Sequence, residues 1–176
     1  MKRWSFAVLV VAIAMVLVST SVAVADTNAY VDAQVTMSYV SVRVAQNGNI
    51  NYGAMTLNQA KMASDVNGGY TRFENDGTLA SDWQMYTSAP SNGSTNMVFS
   101  YTPEGLDTAM WRAFQCVGVY HNYKGDLRTD VGGGVSLASN VAPTGFDDFD
   151  FQLYSPTSAS QGGTYSWQGT VVATQY

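Results

Sequence analysis

The sequence predicts an all-β protein, specifically an antiparallel β-sandwich of the jelly-roll or immunoglobulin-like type. Beyond residue 25 the chain is rich in Val, Thr, Tyr, Ser, Asn and Gly and poor in Glu, Lys and Leu, a composition typical of strands. The apolar residues follow no extended period of 3.6 residues. Instead, short β-like runs recur between turns that contain Gly, Asn or Asp, the pattern expected of a sandwich or barrel.

Nine such runs are predicted strands, and one helical turn is predicted at Pro103–Ala109 because it opens with Pro-Glu. In the last strand Trp167, Val171 and Ala173 share one parity and so one face. The predicted strands are Tyr30–Val44, Ile50–Met55, Tyr70–Glu74, Trp83–Thr87, Met97–Tyr101, Trp111–Tyr120, Gly134–Ala138, Phe149–Tyr154 and Thr164–Thr174.

Residues 1–25 are predicted to be a cleavable secretory signal peptide. Lys2 and Arg3 are followed by the apolar run Phe6–Val18 and by Ala23-Val24-Ala25, the small-x-small pattern that signal peptidase cleaves. The alternative is an uncleaved membrane anchor, but the run is short for a span of about 20 residues. Cleavage after Ala25 would leave a secreted, extracellular or cell-surface protein with no membrane span.

The charge of the mature chain argues against a nucleic-acid partner. Removing the two basic residues of the leader from the 8 Lys and Arg leaves 6 against 13 Asp and Glu, a net charge of −7. Such a surface repels phosphate backbones. The length fits one domain, which we place at residues 40–176, after an N-terminal strand at residues 26–39.

Neither the thiol nor the imidazole suggests an enzyme. Cys116 is the single cysteine, so it is either a buried apolar side chain or an intermolecular link. His121 is the single histidine, and no Gly-x-Ser-x-Gly motif supplies a serine nucleophile. Paired carboxylic acids for glycoside hydrolysis are also scarce. The chain is therefore predicted not to be an enzyme.

The apolar residues of the first predicted strand, Tyr30–Val44, change from odd to even positions along the run. Val31, Ala33, Val35, Met37 and Tyr39 are apolar at odd positions, whereas from residue 40 onward the apolar residues are even. One strand cannot place both sets on one face. Either a β-bulge near residue 39 restores the phase, or residues 28–38 form a separate strand that pairs with another sheet.

Two surface features suggest ligands. Asp147, Asp148 and Asp150 are the densest acidic cluster, and carboxylates on a loop are ligands that Ca²⁺ accepts. The alternative is a solvated acidic loop. Asn92-Gly93-Ser94 is a glycosylation sequon in a polar loop.

The tryptophans and tyrosines of the mature chain offer a carbohydrate-binding alternative. Trp83, Trp111 and Trp167 lie within predicted strands, where packing in the core is the usual role of an aromatic side chain. A platform for polysaccharide is the second interpretation.

The segment Tyr70–Ala80 contains Phe73, Asn75, Gly77 and Leu79 in the order F-x-N-x-G-x-L. It resembles the strand and turn of secreted β-sandwich filament subunits of the TasA/camelysin type and of archaeal bundling pili. The resemblance covers about residues 50–87, and the Pro-Gly of those families' preceding turn is absent at Gly53–Asn58. It implies subunits that polymerise when an N-terminal strand completes the next subunit's sheet.

The expected function is therefore a secreted structural subunit whose partner is a further copy of itself. Val31, Ala33, Val35, Met37 and Tyr39 are the expected donor-strand residues. The alternative is a monomeric extracellular binding module for carbohydrate or a surface partner.

Overall fold

A computed structural model describes residues 37–129 and 133–176. Within these ranges ten strands accompany one five-residue helix, so the predicted all-β class is confirmed. Ser38–Tyr176 form one compact unit. The signal peptide and the predicted donor residues Val31, Ala33 and Val35 lie outside the described residues. No helix in the described ranges has the length and apolar character needed to cross a membrane.

The strands form a larger and a smaller sheet, and the helix follows the second strand. In chain order they are β1 (Arg43–Gln46), β2 (Ala60–Met62), α1 (Ala63–Asn67), β3 (Thr71–Glu74), β4 (Ser81–Thr87), β5 (Val98–Phe99), β6 (Thr108–Val117), β7 (Tyr120–Leu127), β8 (Val135–Val141), β9 (Phe146–Tyr154) and β10 (Gly169–Gln175).

The larger sheet is built around β9 and β6, which pair antiparallel along most of their length. On one side of β9, β3 pairs with its first half and β2 with its second half, and β1 lies outside β3. On the other side, β7 pairs antiparallel with β6 and β5 adds a short parallel pairing. In the smaller sheet β4 lies between β10 and β8.

The two sheets pack on a shared aromatic core. Trp83 of the smaller sheet and Trp111, Phe149 and Phe151 of the larger sheet are buried. Tyr52 joins them: its hydroxyl accepts a hydrogen bond from Trp111 Nε1 at 3.0 Å and donates one to the Phe151 carbonyl at 3.0 Å. Burial raises the pKa of Tyr52 well above its usual value. These two hydrogen bonds hold the segment around Tyr52 over the core.

Asn75, in the segment that carries the resemblance, is fully buried in the turn after β3. Its Nδ2 donates to the Leu79 carbonyl at 2.8 Å and to the Val141 carbonyl at 2.7 Å, and its Oδ1 accepts the Gly77 N–H at 2.9 Å. A Cβ on Gly77 would lie 2.7 Å from the carbonyl oxygen of Tyr39. The turn therefore depends on the side-chain amide of Asn75. It also depends on glycine at position 77, because a side chain there would clash with the Tyr39 carbonyl.

Two of the predicted elements do not form, namely the strand at Ile50–Met55 and the helical turn at Pro103–Ala109. Ile50–Met55 is not a strand: the Asn51 side chain accepts the Gly53 N–H at 2.9 Å and Gly53 has φ +63°, which turns the chain locally. Pro103–Ala109 is not helical, because Asp107 has φ +56°, outside the right-handed helical region. The helix instead occupies Ala63–Asn67.

The predicted strand Trp111–Tyr120 is interrupted by a hairpin turn. Gly118 and Val119 join β6 to β7, with Val117 opposite Tyr120. Gly118 has φ +61°, as a two-residue hairpin turn requires at its first central residue. Lys124-Gly125-Asp126, whose Gly and Asp are typical of a turn, is consequently part of β7.

Candidate functional site

The edge of β10 is one of the unpaired strand edges of the described residues. β10 pairs with β4, and no other strand in the described ranges pairs with it. The Ser88 N–H donates to the Gln168 carbonyl and the Tyr176 N–H to the Ala80 carbonyl, so the even-numbered residues bond toward β4. In an antiparallel pair the intervening residues point the other way. The N–H and C=O groups of Val171 and Ala173 therefore line the free edge.

The same residues face the core. Val171 and Ala173 are half-buried against it, whereas Thr170, Val172 and Thr174 are exposed. This agrees with the single face predicted from their parity. A strand added at this edge would place alternate side chains over the core. We call this edge, from Gly169 to Gln175, the acceptor edge.

A cavity of about 660 Å³ opens beside the start of β10. We call it the end cleft. Its wall includes Tyr52, Leu57, Met97, Phe99 and Trp167, and none of the residues lining it is charged. Its size lies within the range of small-molecule pockets, which are also mostly apolar.

Trp167 forms one wall of the end cleft. Its ring stacks on Tyr52 with centroids 5.9 Å apart and meets Trp111 and Phe99 edge-on at 5.6 and 5.4 Å. The sequence predicted all three mature-chain tryptophans in strands of the core. Trp111 and Trp83 are buried in strands, but Trp167 precedes β10 and is half-buried. Its side chain lines the cleft and is partly accessible to an occupant.

The end cleft and the N-terminal entry of the chain lie at opposite ends of the domain. Ala109, at the start of β6, lines the cleft. At the other end of β6, Cys116 pairs with Asp148 near the start of β9, and Glu74 before the Asn75 turn pairs with Phe146. We call these the cleft end and the entry end.

Tyr39 ties the incoming chain to the entry end. Its carbonyl accepts the Thr78 N–H at 2.9 Å, its N–H donates to Thr78 Oγ1 at 2.9 Å, and its hydroxyl donates to the Asp76 carbonyl at 3.1 Å. Tyr39, predicted as a donor residue, is thus bound to its own domain, while Met37 is exposed. Tyr39 itself is not in a strand, and the choice between a bulge and a separate donor strand stays a prediction.

The acidic cluster lies in a strand, not in the loop that the sequence predicted, since β9 begins at Phe146. Strand alternation separates Asp147 from Asp148 and Asp150. Arg72 binds both oxygens of Asp148 at 2.7 and 2.8 Å, and Asp150 accepts the N–H and hydroxyl of Ser64 at 2.9 and 2.5 Å. Calcium binding here stays a prediction. Among the described residues no three His, Cys, Asp or Glu side chains are grouped to hold a metal ion.

The structure brings Cys116 and His121 to one face of the larger sheet, directly opposite each other on β6 and β7. His121 Nδ1 lies 3.9 Å from a carboxylate oxygen of Asp150, and its Nε2 lies 3.3 Å from the Tyr70 hydroxyl. Sequence spacing alone did not reveal this grouping, because the turn at Gly118–Val119 creates it. The Cys116 side chain is half-buried.

We expect Cys116 to react slowly with thiol reagents in the native protein. Burial, and secondarily the carboxylates of Asp150 and Asp148, raise its pKa to about 12, the reverse of an activated nucleophile. Because only the thiolate reacts, labelling at pH 8 should accelerate roughly 100-fold or more in denaturant, where the pKa returns to about 8.5. Labelling kinetics with and without denaturant measure this; a reducible dimer of native protein would contradict it.

Asn92 lies in the loop between β4 and β5. Its side-chain oxygen accepts the Ser94 and Thr95 N–H groups at 2.9 and 2.7 Å, and the residue is half-buried. The sequon thus forms a closed turn, and its glycosylation stays a prediction.

The sequence matches no protein-family model and no curated protein.

Proposed function

We propose that the chain is an exported structural subunit that polymerises into an extracellular filament by donor-strand complementation. Residues 26–38 of one subunit supply Val31, Ala33, Val35 and Met37 to the acceptor edge of the next. The acceptor edge is the observation that carries this proposal, because it combines free backbone groups with half-buried side chains over the core. The added strand completes a jelly-roll or immunoglobulin-like sandwich.

The donor segment and the acceptor edge match in length, and both alternate with a period of two residues. β10 has seven residues, and Val31–Met37 also has seven, with every odd position apolar. Each backbone hydrogen bond formed at the edge stabilises by about 0.5–1.5 kcal/mol net. Each of the larger donor side chains adds about 1.5–3 kcal/mol when it is fully buried. Together these terms suffice for a stable contact after the entropy of association is subtracted.

The positions of the two elements support growth from head to tail. The chain enters at Tyr39, beside Thr78, while Tyr176 just beyond β10 bonds to Ala80. Tyr39 therefore lies near the end of β10, and the acceptor edge extends from there by about 20 Å toward the cleft end. A contact between two different surfaces of the same chain adds subunits in one direction. It forms a filament when the rotation from one subunit to the next does not close a ring.

A monomeric binding module is the second candidate, and the end cleft is the observation that favours it. An uncharged cleft walled by Trp167, Tyr52 and Tyr165 suits an uncharged ligand that stacks on aromatic rings, such as a sugar. In that case the N-terminal strand folds back on its own domain.

Electron microscopy of the purified mature protein, residues 26–176, tests the proposal. Filaments with a regular subunit repeat are expected. Discrete monomers at high concentration, together with retention on a polysaccharide, would instead establish the binding module and overturn the filament.

A further inference from the structure

The turn between β6 and β7 presents apolar side chains to solvent. We call Val117–Tyr120 the hairpin tip. Val119 is 86% and Tyr120 72% exposed, and Val117 is more than half exposed. These side chains adjoin one another across a two-residue turn, so they form a projecting apolar knob. Exposed apolar groups that cluster in this way mark interaction sites more often than isolated ones do.

The hairpin tip lies at the opposite end of the domain from the end cleft. β6 starts next to the cleft-lining residue Ala109 and ends at the tip residue Val117. Its ten residues span about 30 Å. A knob at one end and a cavity at the other permit repeated contact between successive copies in one direction.

The end cleft and the hairpin tip are both uncharged. The chain has 13 acidic and 8 basic residues, yet no charged residue lines the end cleft and none occurs in Val117–Tyr120. A charged surface segment would bring a carboxylate or a cation into a cavity walled by aromatic rings, and an unpaired charge there is costly. The hairpin tip enters without that cost.

The volume is sufficient for the tip. A cavity of about 150 Å³ accommodates a benzene molecule, and the end cleft has about 660 Å³. It therefore has room for the Tyr120 ring and the Val119 side chain together. The aromatic side chains that line the cleft, Tyr52, Phe99 and Trp167, offer the tyrosine ring contact partners.

We propose that the hairpin tip of one subunit docks in the end cleft of the next copy of the chain. This inference rests on the proposed filament and adds to it a second contact, distinct from the donor strand. The tip lies at the entry end, the end cleft lies at the cleft end, and the acceptor edge runs between the two ends.

Disulfide cross-linking tests the contact directly. Val119→Cys and Leu57→Cys are combined in full-length protein that also carries Cys116→Ser. Leu57 is an exposed residue of the cleft wall. Because a disulfide needs Cα atoms within about 7 Å, oxidised filaments should give a ladder of reducible oligomers. The matched control replaces Val119→Cys by Val172→Cys, on the exposed face of β10, and should give no ladder.

Charge substitution supplies an independent measurement. Val119→Asp should raise the concentration needed for filament formation at least tenfold without lowering the melting temperature of the monomer. Val66→Asp on α1, away from both ends, should leave that concentration unchanged. Assembly is measured by sedimentation, and unfolding by circular dichroism.

The outcomes separate the two proposals. Filaments that form normally from Val119→Asp protein and give no cysteine ladder overturn the tip contact and leave the donor strand standing. A small molecule that co-purifies in the cleft of assembled filaments overturns it as well. If wild-type protein does not assemble at all, both proposals fall.

Discussion

Deletion of residues 26–38 from the mature protein is expected to abolish filament formation while the domain stays folded. The compact unit begins at Ser38, and the hydrogen bonds of Tyr39 to Thr78 are retained after the deletion. The truncated protein should therefore melt cooperatively, remain monomeric by analytical ultracentrifugation, and bind a synthetic peptide of residues 26–38 with a rise in melting temperature.

A pair of neighbouring substitutions refines this experiment. Val35→Asp would bring a carboxylate over the core of the next subunit, where an unpaired charge is strongly unfavourable, and should block assembly as completely as the deletion does. Gln34→Asp adds the same charge on the opposite face of the strand and should assemble normally. If the deletion unfolds the monomer, the strand belongs to its own domain and the donor-strand mechanism is wrong.

The strands that were predicted correctly have strong local signals. The predicted strands Tyr70–Glu74, Trp83–Thr87 and Phe149–Tyr154 overlap β3, β4 and β9. They contain alternating or aromatic side chains, and alternation is the signal that predicts a buried face. β7 was missed because its polar sequence Tyr120–Leu127 has no apolar face. It is a strand because β6 offers it a backbone ladder, which is a tertiary effect. Gly118 within an apolar run was the one local signal of the turn.

The candidate site was predictable only in part. The parity of Val171 and Ala173 correctly gave their shared inward face. That their backbone lies at a sheet edge depends on the order of strands, which period and composition do not contain. Trp167 lies beside the end cleft because Tyr52, more than a hundred residues earlier, stacks on it. Side chains that meet through such distant contacts leave no pattern in the local sequence.

Val171→Pro is expected to block filament assembly with little loss of monomer stability. The N–H of Val171 points to the acceptor edge and has no partner in β4, and proline is tolerated at strand edges in this orientation. The proline ring would occupy the position of the donor strand's carbonyl and remove the hydrogen bond to it. The free energy of unfolding should fall by about 1 kcal/mol or less.

Val172→Pro is the matched control, since it makes the same substitution one residue later with the opposite hydrogen-bonding direction. Val172 lies opposite Gln84 and bonds toward β4. Proline there removes a bond within the monomer and leaves the carbonyl of Gln84 without its donor, a cost of roughly 1–3 kcal/mol for that group, to which backbone distortion adds. Urea unfolding should therefore show the larger loss for Val172→Pro, while sedimentation should show that Val171→Pro stays monomeric at concentrations where the wild type forms filaments. If Val171→Pro assembles as the wild type does, the acceptor edge is not the surface that the donor strand completes, because no strand can add to that edge through the blocked position.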